Sequence, residues 1–574
     1  MHQRINVANL PSGLNSRFAV FFVTALVIVV AFGQYIVPTS NVLHSDQAAL
    51  SMWWGGIAGT LTLLGAIALY LGHPFRRMRA FGAHTPLDKS SNAAIRIGVL
   101  AERMNLELKC IRVDTDITNT DAIVFGIGKR KTLGIGRGLI LLAVKKPADF
   151  DARLAHELGH IKNNDVGISM FADALATVSI LAVLFVFCFG FATFGARAIE
   201  VWGDLKGQID TSVSRTSLWT SVIYWFGGKS LSWVAFMAPP ILLSAIVLFI
   251  EHRAFLRLRE LLADAQAARW TSELDLVETL SQRTRERDSD RFGLFYKPFD
   301  AHPPVRDRIH AIATPEDIGI PKATWHLGLG YIIGMMLAFL SKIIVLALAG
   351  FEDLSTALGE SYFNFLAAMV TSGSWSTIVS FLLSSLITYV VFISVSSAII
   401  RQAIDAIIKR RYIGSAGRWL SNGFCLAVGI IAGSYMNPFA FAFTNNGMFS
   451  SPVFAGASVA ALTFVAIFAF YVAALILALP LVRWILSGVR KRPVTGFEWA
   501  SMFFLFAYAI AQTGLTLATY LSPQVAAFMG GPKGLITPVA WSIFWWTMVL
   551  GAGILARGGA IKSSRTLSPW LYVW

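Results

Sequence analysis

Three residues in one short stretch of the chain have the types and spacing of a metal-dependent hydrolytic site. The stretch reads His156-Glu157-Leu158-Gly159-His160, an H-E-x-x-H motif. On a helix, positions i and i+4 lie on the same face, so both imidazoles can reach one metal ion. Glu157 lies beside them, where its carboxylate can act as the general base toward water that the metal activates. The motif therefore predicts one Zn²⁺ per chain, bound by His156 and His160.

A third ligand is available in the later sequence R-E-L-L-A-D at 259–264. Glu260 and Asp264 are four residues apart, so on a helix they share a face. Glu260 can bind the metal, and Asp264 can accept a hydrogen bond from the distal nitrogen of a ligand histidine. An ordinary solvated charge pair is the simpler alternative. Glu251 is a competing third ligand, although it directly follows the last apolar residue of a hydrophobic run.

Long apolar segments must position these residues. Of the 574 residues, 55% are hydrophobic and only 14% are charged. Soluble globular proteins have about 25% charged residues, so this composition predicts a membrane protein. Asp173 and Lys342, near the ends of apolar segments, are predicted to snorkel to the interface. Ten segments are long and apolar enough to span a bilayer as helices: Phe18–Val37, Met52–Leu71, Val166–Ala196, Trp233–Ile250, Leu327–Leu348, Thr377–Ile400, Trp419–Phe443, Val453–Val482, Trp499–Leu521 and Leu535–Ala556.

Basic residues are distributed unevenly between the short loops. Segments 401–418 and 483–492 together contain nine Lys and Arg residues. Three other loops contain none: 38–51, 350–375 and 444–452. Because basic loops stay on the cytoplasmic side, both termini and the segments 73–165 and 251–323 are predicted to be cytoplasmic, in a multi-pass protein of the cell inner (plasma) membrane. The net charge of +15 follows from this topology, and no nucleic-acid partner is predicted.

The predicted spans deliver the ligands to a similar level. The helix with His160 runs into the third span, and the fourth span runs into the helix with Glu260. At about 1.5 Å per residue, both ligands lie just inside the cytoplasmic face. The chain is predicted to have three parts: an N-terminal transmembrane pair (1–72), a core (73–323) whose cytoplasmic segments 73–165 and 251–323 flank the hairpin 166–250, and a C-terminal six-span module of unknown role (324–574).

The first cytoplasmic segment also has readable local structure. Asn92–Met104 is predicted to be a helix, and Ala122–Gly126 and Thr132–Gly136 are predicted to be short strands of a hairpin around the basic turn Lys129–Lys131. The glycines of this hairpin lack the spacing of a nucleotide-binding loop. Asp149 is predicted to be the N-cap of the helix that carries the motif. The three cysteines are far apart and predict neither a disulfide framework nor a cysteine metal site.

The order of these features resembles the heat-shock membrane metalloprotease family HtpX, to which the prenyl-protein CAAX endopeptidases are related. Two apolar segments, H-E-x-x-H, two more apolar segments and R-E-x-x-A-D follow one another, and the resemblance extends from about Phe18 to Ala313. It includes N-N-D at 163–165 and H-P-P at 302–304 followed by Arg308. The Asn-Ala element of the family appears here as Asp-Ala at 121–122.

This resemblance implies a gluzincin-like α+β zinc metallopeptidase domain within a polytopic α-helical membrane protein. It places zinc on three ligands: His156, His160 and Glu260. It implies that Glu157 is the general base and that His302 and Arg308 lie near the bound substrate, where Arg308 is a candidate to stabilise an oxyanion. The predicted activity is zinc-dependent endoproteolysis of membrane or membrane-associated proteins at the cytoplasmic face.

Two other functions stay open at this point. One is a transport or scaffold protein built on the six C-terminal segments, with a regulatory or inert protease core. The other is a CAAX-type processing protease, which has more spans before the motif than the two found here. The complete set of metal ligands and base favours the endopeptidase. Its predicted partners are a peptide or membrane-protein substrate and the lipid bilayer, and the oligomeric state is not predicted.

Overall fold

The structure is a computed structural model, and it describes part of the chain. The described ranges are 14–33, 45–128, 130–209, 231–287, 302–318, 320, 322–335 and 412–435, with short pieces at 399–407, 465–482, 509 and 543–551. Lys129 of the predicted turn lies outside them, as do nearly all of Thr377–Ile400 and Trp499–Leu521 and most of Leu535–Ala556. Two compact units make up the chain: Thr24–Gly319, and Met1–Val23 with Ile320–Trp574.

Helices dominate the described residues, and one small sheet accompanies them. In chain order the elements are α1 (Leu14–Gly33), α2 (Ser45–Phe81), β1 (Ala83–Pro86), α3 (Asn92–Arg103), β2 (Cys110–Asp114), β3 (Ala122–Ile127), β4 (Arg130–Gly136), α4 (Arg137–Lys145), α5 (Pro147–Lys162), α6 (Val166–Ile209), α7 (Leu231–Trp270), α8 (Glu273–Arg287), α9 (Val305–Ala313) and α10 (Tyr412–Tyr435), with a 3₁₀ turn at Pro315–Asp317.

Some of these helices are long and apolar. Among the described residues, two helical segments are long and apolar enough to cross a membrane, Trp54–Phe81 in α2 and Val166–Phe189 in α6. The predicted fourth span and the segment with Glu260 form one continuous helix, α7. The helical character predicted for these segments is therefore confirmed. The prediction that the helix with His160 runs into the third span was wrong, because α5 ends at Lys162, the chain turns at Asn164, and α6 begins at Val166. The ten-span arrangement and the three-part division of the chain stay predictions.

The sheet has four strands in the order β1-β2-β4-β3. β1 pairs antiparallel with β2, β2 pairs parallel with β4, and β4 pairs antiparallel with β3. The predicted glycine-rich hairpin is confirmed as β3 and β4, and Gly126 and Gly128 take positive φ angles at its turn. β3 is an edge strand that packs against α5.

A hydrophobic core between the sheet and its helices sets the position of α5. The buried faces of α3, α4 and α5 meet the inner face of β4 through fully buried side chains: Ile97, Leu133, Ile135, Leu139, Phe150, Leu154 and Leu158. The predicted helix at 92–104 is confirmed as α3, whose N-terminus is capped by Ser91. The prediction for Asp149 was wrong. α5 starts at Pro147, because proline favours the first helical position. Asp149 lies in the first turn, where its side chain pairs with Arg153 one turn later.

Candidate metal centre

The candidate ligands come from two helices that pack against each other, α5 and α7. His156 and His160 are one helical turn apart on α5, and Glu260 faces them from α7. Glu260 Oε2 lies 3.4 Å from His156 Nε2, and Glu260 Oε1 lies 3.4 Å from His160 Nε2. These three residues form the one group of potential metal ligands found in the part of the chain that the structure describes.

The donor set fits a zinc ion. Zinc in proteins takes nitrogen and oxygen donors at about 2.0–2.1 Å in tetrahedral geometry, which places neighbouring donors about 3.3–3.4 Å apart. The two nitrogen–oxygen separations of 3.4 Å, each to a different oxygen of Glu260, are near this spacing, and one donor atom from each of the three residues lies within 4.8 Å of the other two. His160 and Glu260 are buried and His156 is partly buried, so three donors converge where solvent reaches from one side. The chemistry of two imidazoles and one carboxylate is therefore that of a divalent-metal site with an open position.

A glycine inside the motif allows the two helices to come this close. A Cβ atom on Gly159 would lie 2.9 Å from the backbone oxygen of Ala263 and 3.3 Å from its Cα. Both atoms belong to the backbone of α7, so no side-chain rotation can relieve the contact. Gly159 and Ala263 thus form the point of closest approach that places the histidines opposite Glu260.

The Nδ1 atom of His156 is held by a carboxylate that is itself held by an arginine. His156 Nδ1 lies 2.8 Å from Asp264 Oδ1. Arg308 donates two hydrogen bonds of 2.7 Å to Asp264, from Nε and Nη2, and both side chains are buried. Because Nδ1 donates its hydrogen bond to Asp264, the His156 ring is oriented with Nε2 toward Glu260. The predicted contact between Asp264 and a histidine of the motif is present, while the role of that histidine as a metal ligand stays a prediction.

His160 has a corresponding pair of charged residues that the sequence reasoning did not assign. Asp165 Oδ2 lies 3.2 Å from His160 Nδ1, and Arg259 Nε lies 3.4 Å from Asp165 Oδ1. Asp165 is fully buried. The N-N-D sequence directly after the motif belongs to the resemblance described above. Because it lies at the end of a helix, it could have indicated a turn that brings Asp165 back to His160.

The carboxylates and imidazoles of the cluster shift one another's pKa values. Burial acts to raise the pKa of Glu260, but hydrogen bonds from three histidines hold that pKa well below its ordinary value. Burial acts to lower the pKa of His156, yet the Asp264 and Glu260 carboxylates outweigh it and raise the pKa to about 9. The carboxylates around His156 thus favour a positive charge at this place, and a bound cation would supply that charge instead of a proton.

The remaining predicted site residues lie around this cluster. Glu157 lies on α5 and is partly exposed, within the electrostatic influence of Arg259 and Arg308. The exposed His302 lies with Nδ1 3.0 Å from Glu260 Oε2, at the open side of the site. Glu251, the competing third ligand, is not part of the candidate metal group. Because Arg308 is bound to Asp264, its role toward an oxyanion stays a prediction, as do the catalytic roles of the other residues.

Comparison with known proteins agrees with this geometry. Residues 93–316 match peptidase family M48. The matched region begins in α3 and ends in the 3₁₀ turn after α9, so it contains every candidate site residue. The resemblance inferred from the motifs is thereby confirmed for this M48 region.

Two curated relatives are similar to the same part of the chain. Both carry the name Protease HtpX homolog, one from Listeria innocua serovar 6a and one from Listeria monocytogenes serotype 4a. Each is 28% identical, over 212 and 211 residues respectively, which is 33% of this chain. The chain covers 63% of the length of these relatives. No solved structure gives a significant match.

Proposed function

We propose that this chain is a membrane-embedded zinc endopeptidase that cleaves membrane or membrane-associated proteins at the cytoplasmic face. The observation that carries the proposal is the convergence of His156, His160 and Glu260, whose donor atoms lie within 4.8 Å of one another and form a donor set that suits zinc. The M48 match and the name of the two relatives favour a protease over a transport protein, a scaffold or a CAAX-type processing enzyme.

The residues divide the chemical work between them. A zinc ion bound here would supply Lewis acidity, polarising the scissile carbonyl and lowering the pKa of water to about 7. Glu157 accepts the proton of the attacking water and passes it to the leaving amine. Asp264, clamped by Arg308, keeps the His156 ring in its orientation. His302 is exposed beside Glu260, and this position supports the proposal that it contacts a bound substrate.

The sheet offers a binding place for an extended substrate. β3 pairs with β4 on one side and is the edge of the sheet on the other. Because β3 packs against α5, a peptide added to this edge runs alongside the helix that carries the motif. Backbone hydrogen bonds to an edge strand bind many sequences, so this arrangement suits an endopeptidase with unfolded or extended substrates.

Exposed apolar side chains support membrane embedding. α2 contacts α6, and α6 contacts α7, yet each helix keeps large apolar side chains outside the protein interior. Those with more than a third of their area exposed are Trp54, Ile57, Leu61, Leu64, Ile67, Leu71, Phe75, Leu181, Leu184, Phe185, Phe189, Leu242, Ile246 and Ile250. A soluble surface rarely exposes so many apolar residues together, whereas lipid would cover them.

Three paired polar residues of α2, α6 and α7 are consistent with a site that lies outside the bilayer. At the end of the apolar stretches, Asp173 Oδ1 of α6 lies 2.9 Å from His252 Nε2 of α7, and Arg77 of α2 lies 3.8 Å from the same carboxylate. This pairing agrees with the predicted interfacial position of Asp173. Glu260 follows His252 by eight residues on α7, which places it about 12 Å further along the helix. The positive-inside pattern assigns that side to the cytoplasm.

Removal and restoration of metal tests the proposal. The full-length protein in detergent is stripped with a chelator, and cleavage of an unfolded protein and of a reconstituted membrane protein is followed before and after addition of zinc. The proposal expects cleavage of both to disappear with the metal and to return with about one zinc per chain. Cleavage that survives complete metal removal, or a zinc-loaded protein that cleaves neither substrate, would contradict it.

A further inference from the structure

The C-terminus of α5 turns back toward the metal centre. Asn164 has a φ of 55°, the left-handed conformation that ends many helices. Its N–H bonds to Ile161 O at 3.1 Å, and the N–H of Asp165 bonds to His160 O at 3.3 Å. These two bonds form a Schellman motif, which reverses the chain within three residues. The reversal places the side chain of Asp165 directly under the ring of His160.

Lys131 fixes this turn from the sheet. Its Nζ donates to Asn164 Oδ1 at 2.8 Å and to Ile161 O at 3.3 Å, so β4 is tied to the two residues that form the turn. Asp165 also precedes the first residue of α6, and Ser169 N bonds to its carbonyl oxygen. A carboxylate in that position would ordinarily cap the N–H groups of the following helix. Here it is directed to His160 instead.

Two groups compete for the Nδ1 atom of His160. Asp165 Oδ2 lies 3.2 Å away and can only accept a hydrogen bond, whereas Arg259 Nε also lies 3.2 Å away and can only donate one. If Arg259 donates to Nδ1, a neutral imidazole must carry its proton on Nε2, which then cannot bind a metal. If Asp165 accepts from Nδ1, the lone pair of Nε2 is free to face Glu260.

We propose that Asp165 is a positioning residue of the metal centre, which accepts the Nδ1 proton of His160 and so holds the tautomer whose Nε2 binds the metal. The same carboxylate forms an ion pair with Arg259 through its other oxygen, 3.4 Å away, and so competes with Nδ1 for that guanidinium. This inference rests on the proposed zinc site. It also explains the N-N-D sequence after the motif. The second Asn, Asn164, forms the left-handed turn, and this turn brings Asp165 to the ring of His160.

A purely structural role for Asp165 makes a different prediction. If Asp165 served as a counter-ion for Arg259 alone, any neutral residue would have the same effect, and the tautomer of His160 would not matter. The two roles separate in Asp165→Asn and Asp165→Leu. Both variants remove the charge, but the amide oxygen of asparagine can still accept the Nδ1 proton, whereas leucine cannot.

The test measures zinc affinity of the full-length protein by competition with a chromophoric chelator. The proposal expects Asp165→Asn to weaken zinc affinity by about tenfold and Asp165→Leu by about 100-fold, the range found when partners of ligand histidines are removed. Asp151→Asn is the matched control, because Asp151 lies on α5 and pairs with Arg96 away from the site. It should keep zinc affinity within about threefold of wild type.

Equal losses in the two Asp165 variants, or no loss in either while wild type binds zinc, would overturn the inference and leave the proposed function standing. Absence of zinc binding in wild type would overturn both. A second measurement uses the wild-type protein, so its result does not depend on whether an Asp165 variant folds. In zinc-loaded wild type labelled with ¹⁵N-histidine, the Nδ1 proton of His160 should be hydrogen-bonded to Asp165 and so shifted downfield and slow to exchange, and an Nδ1 proton with the shift and exchange rate of a free imidazole would equally refute the role.

Discussion

Replacing Gly159 with alanine should weaken metal binding because it forces α5 and α7 apart. The new Cβ would lie 2.9 Å from Ala263 O, and ordinary contact begins at 3.4 Å, so the helices must separate by about 0.5 Å. The same separation would widen the 3.4 Å spacing between Glu260 and the histidines. Metal sites tolerate donor distances within about 0.2 Å. The metal-free protein can relieve the contact by letting α5 and α7 move apart. The zinc-bound protein cannot, because zinc holds the ligands of the two helices together.

The size of the effect follows from the cost of overpacking, about 1–3 kcal/mol, which corresponds to about a 5–150-fold loss of zinc affinity. Competition with a chelator measures it directly. Gly98→Ala in α3 is the control, since a Cβ there meets no atom within 4 Å and alanine favours the helix. Zinc affinity in Gly159→Ala equal to that of wild type and Gly98→Ala would show that helix approach does not govern the site.

Two further perturbations have defined outcomes. Glu260→Ala should remove most of the bound zinc and Asp264→Asn should lower zinc affinity by about 10–100-fold, as measured by metal analysis; loss of zinc in Glu251→Ala but not in Glu260→Ala would reverse the ligand assignment. Reporter fusions should test the charge-based topology, and an external signal at Arg287 would overturn the cytoplasmic placement of the site. External signals are expected at Ser45, Asp353 and Asn446, and cytoplasmic signals at Arg287, Ile413 and Ser564.

Much of the site could be predicted from local sequence because its ligands are spaced at helical intervals. The i, i+4 spacing of His156 and His160, and of Glu260 and Asp264, survives in any straight helix, so no tertiary information was needed to group them. The pairing of α5 with α7 was expected from the apolar segments next to them, but only α7 is continuous with its apolar segment, since the chain turns between α5 and α6. The hairpin β3–β4 was readable from its glycines.

Contacts that depend on a turn or on distant pairing could not be predicted in the same way. Asp165 reaches His160 only because Asn164 adopts a left-handed conformation, and its neighbour in space, Arg259, is distant in sequence. β1 has four residues and ends in proline, and β2 pairs in parallel with β4, so neither strand shows an alternating pattern. The start of α5 was predicted two residues too late, because Asp149 is a favoured N-cap residue type but lies inside a helix that begins at Pro147.

The most direct measurement is zinc content beside proteolysis, in wild type and in Glu157→Gln. Glu157 is assigned to proton transfer and not to metal binding, so the amide should leave the three ligands intact while it removes the base. The account predicts about one zinc per chain in both proteins, with cleavage of a membrane substrate lost by several orders of magnitude in the variant. Retained proteolysis in Glu157→Gln, or loss of its zinc, would contradict the assignment of metal and base at this site.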